Sequence, residues 1–222
     1  MNYSQNLSDL EIKPDDYYTQ ERFEMLKYIP SDSSVMLDAG CGTGNFGQLV
    51  KEQNPKIEIW GIELDKASAD EARAKLDNVL NGDVCVLADI LPDDHFDCII
   101  FNDILEHLAD PYSLLSKIKT KLKPTGSIVC SLPNVRYLPN LRDLIIRKQW
   151  KYVDAGILDK THLRFFTKSS IIDMFVHLDF ELLSIEGINP IKSVKFDIIN
   201  ILALGVLSDT RYLQFACVAK KK

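Results

Sequence analysis

A chain of 222 residues, 46% of them hydrophobic, is long enough to bury a full core and falls in the size range of one α/β domain, so a single domain over 1–222 is expected. The formal net charge of -6 excludes a general nucleic-acid-binding surface, which needs clustered Lys and Arg to neutralise phosphates. Five scattered cysteines with no C-x-x-C read as reduced core thiols, and the first residues carry neither a basic nor an apolar leader, so a cytoplasmic protein is expected.

In chain order, "YYTQERFEMLKYI" (17–29) has Tyr17, Phe23 and Leu26 near helical spacing before Pro30, which predicts a helical cover within 1–30. Short apolar runs follow at 35–39, 57–63, 84–88, 96–101 and 127–132, with helical patterns at 44–53, 67–80 and 111–122. Strands alternating with helices predict a doubly wound, mostly parallel sheet covered on both faces. An insertion over 134–167 precedes a helix near 169–177. Two last strand patterns, "FELLSIEGI" and "YLQFACVAKK", make the sheet seven-stranded, and the short link between them allows the final strand to run antiparallel. The apolar run 198–207 is well short of the roughly 20 residues of a membrane span, so a buried or interfacial helix is expected there and no membrane span.

The first strand runs into "LDAGCGTGNFG" (37–47). From Gly42 this is a literal G-x-G-x-x-G (Gly42, Gly44, Gly47), the pattern of dinucleotide sites. From Asp38 it is D-x-G-x-G-x-G, and a carboxylate beside a doubly negative pyrophosphate costs Coulomb energy. A cationic ligand without phosphate avoids that cost, and S-adenosylmethionine is one. Other strand ends are acidic as well: Glu63 and Asp65, Asp89, Asp103. Glu63 stands where an acid accepts both ribose hydroxyls, a role that would serve NAD equally.

Together, "VMLDAGCGTGNFG", "GIELD", "VLADI" and "FDCIIFNDILEHLADP" resemble the successive motifs of class I S-adenosylmethionine-dependent methyltransferases, over roughly 15–190. The resemblance implies their Rossmann-like fold and S-adenosyl-L-methionine as cofactor. It implies that Asp38, Gly40, Cys41, Gly42 and Gly44 shape the methionine pocket, that Glu63 holds the ribose and that Asp89 with Ile90 meets the adenine. Asn102, closing the fourth strand, joins this set, and Tyr18 with Arg22 matches an arrangement in which the guanidinium reaches the methionine carboxylate.

Of the four histidines, His95 and His177 read as structural. His107, in "NDILEHLADP", divides between site and scaffold. His162, in "LDKTHLRFFT", lies in the insertion, and a base at His162 with Asp159 nearby is one reading, a lid-fixing histidine the other. The insertion carries Arg136, Arg142, Arg147, Lys148, Lys151, Lys160 and Arg164 against three aspartates, with Trp150, Tyr152 and Phe165 among them. Such a lid suits an anionic acceptor such as a nucleotide sugar, and a solvated helix is the plain alternative. "SLPNVRYLPNL" followed by "ILDKTHLRFFT" resembles a subgroup associated with bacterial cell-surface polysaccharide synthesis.

The run Asn102-Asp103-Ile104-Leu105 is not the N-P-P-Y type of amino-methylating DNA enzymes, and no metal-ligand spacing is present, so neither nucleic acid nor a metal is expected. The leading reading is methyl transfer to a small molecule or glycan, at oxygen, and a homodimer stays open. The alternatives are a cofactor-binding accessory protein without turnover and a nicotinamide oxidoreductase.

Overall fold

The computed structural model describes residues 22–222, and Tyr18 with most of the expected N-terminal cover lies outside them. A 3-10 turn at Phe23–Tyr28 stands where the spacing predicted part of an α-helix. Arg22 enters it with φ +47°, a left-handed geometry that disrupts the helical path.

The strands are β1 (Val35–Ala39), β2 (Glu58–Glu63), β3 (Asn78–Asn81), β4 (Phe96–Asn102), β5 (Leu122–Pro133), β6 (Phe180–Pro190) and β7 (Tyr212–Lys221). The α-helices are α1 (Asn45–Gln53), α2 (Lys66–Ala72), α3 (Val84–Leu87), α4 (Pro111–Lys121), α5 (Leu138–Ile145), α6 (Lys168–His177) and α7 (Val194–Leu202). They build one seven-stranded sheet of order β3-β2-β1-β4-β5-β7-β6. The first five strands run parallel, and β7 is antiparallel to both β5 and β6. The predicted doubly wound sheet with an antiparallel last strand is what the chain forms.

Alternate residues of a strand point to opposite faces, and both faces here are apolar. Leu37, Ile99 and Phe101 join one cluster with Leu114 and Leu115 of α4 and Met174 and Phe175 of α6. Met36, Cys98 and Ile100 join another with Phe46 and Val50 of α1 and with Met25 and Tyr28. That is why the central strands read as continuous apolar runs.

One strand prediction is corrected. "VCVLA" (84–88) was expected to be a strand and 67–80 a helix. Instead α2 stops at Ala72, the third strand is the short "NVLN" at 78–81, and Val84–Leu87 is a helical turn. The local cause is Asp83, whose side chain accepts the Cys85 N–H at 2.8 Å. A capping carboxylate after a glycine turn starts a helix and overrides the β propensity of Val and Cys.

The late apolar run forms α7, with Phe196 its one buried residue and Ile201 and Leu202 exposed. It is therefore not the buried helix that was one of the two expectations. No helix among the described residues is long and apolar enough to cross a membrane.

Candidate active site

The order of the sheet reverses between β1 and β4, and a crevice at the carboxyl ends of these strands is where doubly wound sheets take ligands. The glycine turn sits at that point. Gly40 and Cys41 donate their N–H groups to Ile62 O at 2.8 and 3.0 Å, which ties the turn to the end of β2. Gly40 adopts φ +83°, and a Cβ there would stand 2.1 Å from Ile104 Cδ1. The backbone angle favours glycine, and a side chain there would also have to displace the end of Ile104. Gly44, with φ +79°, caps α1.

Asp38 is buried, 1% exposed, and its Oδ2 has no hydrogen-bond partner. Burial first, and the nearby Glu63 second, push its carboxyl up to about 7. Glu63 is nearly as buried, and burial raises it too, against the pull of the N–H groups it accepts. Its Oε2 takes the Gly42 N–H at 2.8 Å and its Oε1 the Asp65 N–H at 2.8 Å. Cys41 is packed under the turn with its thiol raised by burial. Asn102, at the end of β4, has a buried Oδ1 without a partner.

Arg22 is not a solvated charge. Its side chain is 10% exposed, and the guanidinium meets the Asp103 carboxylate and Glu24. Asp103 takes φ +55° and also accepts from Ser131 Oγ at 2.9 Å and Gln214 Nε2 at 2.7 Å. This hub fixes the backbone just past Asn102.

Asp89 and Ile90 lie elsewhere than expected. They follow α3 rather than a strand: Asp89 is exposed and paired with Lys117 at 2.8 Å, and Ile90 is 69% exposed. Two residues past the carboxyl end of β3 stands Asp83, which the sequence reading passed over because it took the next apolar run for the strand. The "NGD" turn at 81–83 was the available signal. Asp83 and His107 both line a cleft of about 400 Å³.

Past β4, a 3-10 turn at Leu105–His107 is clamped by the tail of the insertion: Leu163 and Arg164 donate their N–H groups to Glu106 O at 2.8 and 3.0 Å. This seats His162 beside the turn, with its ring 4.7 Å from that of His107 in a T-shaped contact. His162 is 8% exposed, its Nδ1 is 2.9 Å from Ile157 O, and its Nε2 is 4.0 Å from Glu106 Oε1. Asp159 Oδ1 accepts the Thr161 hydroxyl at 2.7 Å, and Thr161 Oγ1 lies 3.0 Å from His107 Nδ1. The carboxylate of Asp159 thus reaches His107 through Thr161, whereas His162 is tied to Ile157 and faces Glu106. Glu106 is fully buried, and burial pushes its carboxyl up to about 8.

The rest of the insertion is open. No residue of α5 is buried, and the aromatic group is Trp150 and Tyr152 around Phe165 at centroid distances of 5.4 and 6.3 Å. Several of its cations are paired: Arg136 with Asp209, Arg142 and Arg147 with Asp143, Lys160 with Asp154.

A doubly wound sheet whose switch point carries a glycine turn, a buried acid before it and a second acid at the next strand end defines a Rossmann-like protein of the methyltransferase type. The chain belongs to the methyltransferase-domain family, whose description matches residues 15–185. It is 31% identical to trans-aconitate 2-methyltransferase of Escherichia coli O17:K52:H18 over 139 residues, 60% of this chain and 53% of that one. It is 32% identical to the malonyl-[acyl-carrier protein] O-methyltransferase of Paenibacillus sp. over 101 residues, 42% of this chain and 37% of that one. The matched stretches therefore span about half or less of these relatives. Among solved structures, a SAM-dependent methyltransferase from Archaeoglobus fulgidus superposes with a TM-score of 0.66 at 24% identity, covering 89% of this chain and 91% of that one. One from Mesorhizobium loti gives 0.62 at 18%, covering 90% and 98%. At these identities the structural likeness establishes the fold.

Proposed function

We propose that the chain transfers a methyl group from S-adenosylmethionine to an oxygen of a small-molecule or glycan acceptor. The observation that carries this reading is the buried Asp38 carboxylate beside the glycine turn, with Oδ2 unpartnered. A buried acceptor of this kind calls for a donor, preferably a cationic one, and an α-ammonium group with a sulfonium nearby fits that demand. Asn102 Oδ1, also buried and unpartnered, adds a second acceptor at the switch point.

Asp38 and the turn at Gly40, Cys41, Gly42 and Gly44 would hold the methionine end, and Arg22 its carboxylate. Each Glu63 carboxylate oxygen keeps a lone pair for a ribose hydroxyl after accepting one backbone N–H. Asp83, rather than Asp89, would stand at the adenine. The bound cofactor supplies an electrophilic methyl on a good leaving group, so positioning the acceptor in line accounts for much of the rate.

The acceptor side would be the edge formed by His107, His162 and the 134–167 insertion. Trp150, Tyr152 and Phe165 offer faces on which a sugar can rest, and Lys148 and Lys151 offer charge to an anionic group. The names of the relatives support a small acceptor, and that of the malonyl-carrier enzyme supports oxygen as its atom. The sequence likeness to the polysaccharide-associated subgroup favours a sugar.

Calorimetric titration with S-adenosylhomocysteine of the wild type and Asp38→Ala tests the cofactor. Micromolar binding weakened at least tenfold by the substitution is expected; equal binding by both proteins would overturn the assignment. Labelled methyl transfer to a panel of nucleotide sugars and small carboxylates then tests the acceptor. Binding without turnover across the panel would favour an accessory role.

A further inference from the structure

Glu106, His107 and His162 each bring one ligand-type atom within 4.8 Å of the other two. They come from two segments more than fifty residues apart, joined by the hydrogen bonds of Leu163 and Arg164 to Glu106 O. Glu106 is 0% exposed, and neither of its carboxylate oxygens has a hydrogen-bond partner. A buried carboxylate left so is costly unless a cation or a proton joins it.

The two imidazoles are oriented from behind. Ile157 O can only accept, so His162 Nδ1 carries a hydrogen, and Nε2 is the ring nitrogen that faces Glu106 Oε1, at 4.0 Å. The Thr161 hydroxyl donates to Asp159 Oδ1 at 2.7 Å and therefore accepts from His107 Nδ1 at 3.0 Å. His107 also carries its hydrogen on Nδ1. An imidazole whose Nδ1–H is fixed by a carbonyl, or by a carboxylate acting through a hydroxyl, is the usual support of a metal ligand. A separation of 4.0 Å is too long for a hydrogen bond and about half an ångström wider than two tetrahedral ligands at about 2.0–2.2 Å from one ion, a gap that a small side-chain rotation closes.

We propose that Glu106, His107 and His162 bind one divalent transition-metal ion. Two imidazoles and a carboxylate suit Zn²⁺, Mn²⁺, Fe²⁺ or Co²⁺ better than Mg²⁺ or Ca²⁺. Three protein ligands leave at least one position open, and His107, half-buried, lines the cleft through which an ion could enter. The open position would receive an oxygen of the acceptor; that use rests on the methyl-transfer reading, while ion binding does not. The expectation of no metal came from contiguous spacing, which cannot see a site assembled by the insertion.

Protein stripped with a chelator and titrated with Co²⁺ should take up one ion per chain and develop visible d–d absorption, with Zn²⁺ displacing it. Glu106→Gln and His162→Gln should each weaken Co²⁺ binding at least tenfold and bleach the bands while S-adenosylhomocysteine affinity stays near that of the wild type. If either buried variant fails to fold by circular dichroism, His107→Gln, at a half-buried position, carries the test. Absence of stoichiometric Co²⁺, or binding untouched by the substitutions, would overturn the proposal and leave a protonated Glu106 as what the cluster holds. Loss of S-adenosylhomocysteine binding by the wild type would instead count against the methyl-transfer reading alone.

Discussion

Glu63 Oε2 accepts the Gly42 N–H at 2.8 Å, so the acid at the end of β2 and the turn after β1 form one mechanical unit. Its other oxygen takes the Asp65 N–H. Glu63→Ala would orphan the buried Gly42 N–H and leave the half-buried Asp65 N–H to water, and hydrogen bonds to a charged group are each worth roughly 1.5–3 kcal/mol. Urea unfolding should show a loss of about 3 kcal/mol, together with weaker cofactor binding. Glu63→Gln, which keeps one acceptor oxygen, should lose less stability than the alanine variant.

The Asp38 carboxyl is raised from 3.8 to about 7, so in the ligand-free protein it gains its charge only near neutrality. A cationic ligand favours the ionised form. S-adenosylmethionine affinity should therefore rise with pH between about 6 and 8, by at most tenfold per unit, and level off above. Stability should go the other way. Because the folded state holds the proton more tightly, the Asp38 contribution is full below 3.8 and is lost as pH rises through about 7. Asp38→Asn should flatten both profiles, and a calorimetric pH series with thermal melts would show it.

Asp83 and Asp89 give opposite expectations. Asp83 follows β3 and caps α3, so Asp83→Ala should cost about 1 kcal/mol from the lost cap and weaken S-adenosylhomocysteine binding. Asp89, exposed and paired with Lys117, should tolerate alanine on both counts. The reverse ranking in a titration would restore the reading made from sequence.

Gly40→Ala combines a left-handed backbone with a Cβ 2.1 Å from Ile104 Cδ1. Strain of this kind costs on the order of 1–3 kcal/mol. The melting temperature should fall, and Ile104→Ala in the same chain should recover only part of it, because the positive φ remains. Full recovery would mean that Ile104 alone excludes a side chain.

The sheet was legible because its central strands bury both faces, and continuous apolar runs such as "FDCIIF" between capped helices leave few other solutions. In the structure Asp110 caps the helix that starts at Pro111, and Thr167 the one that starts at Lys168. The run 84–88 was misread because one capping carboxylate, Asp83, outweighed the propensity of five apolar residues. The pairing of His162 with Glu106 could not be read at all: it depends on where the insertion returns to the sheet, set by two backbone hydrogen bonds to Glu106 O. Asp38 was readable as an acid in a turn motif, whereas its burial, which sets its proton affinity, depends on neighbours distant in sequence.

The strand order places β7 between β5 and β6, although it follows both in the chain. Until residues 212–221 are available, β5 and β6 cannot complete their pairing, and each presents an unpaired edge able to recruit another chain. During synthesis the first four strands can assemble beforehand, but the half that carries the insertion stays unfinished until β7 slides in. Substitutions in Tyr212–Lys221 should therefore act on the yield of folded protein and its tendency to aggregate more than on the finished site.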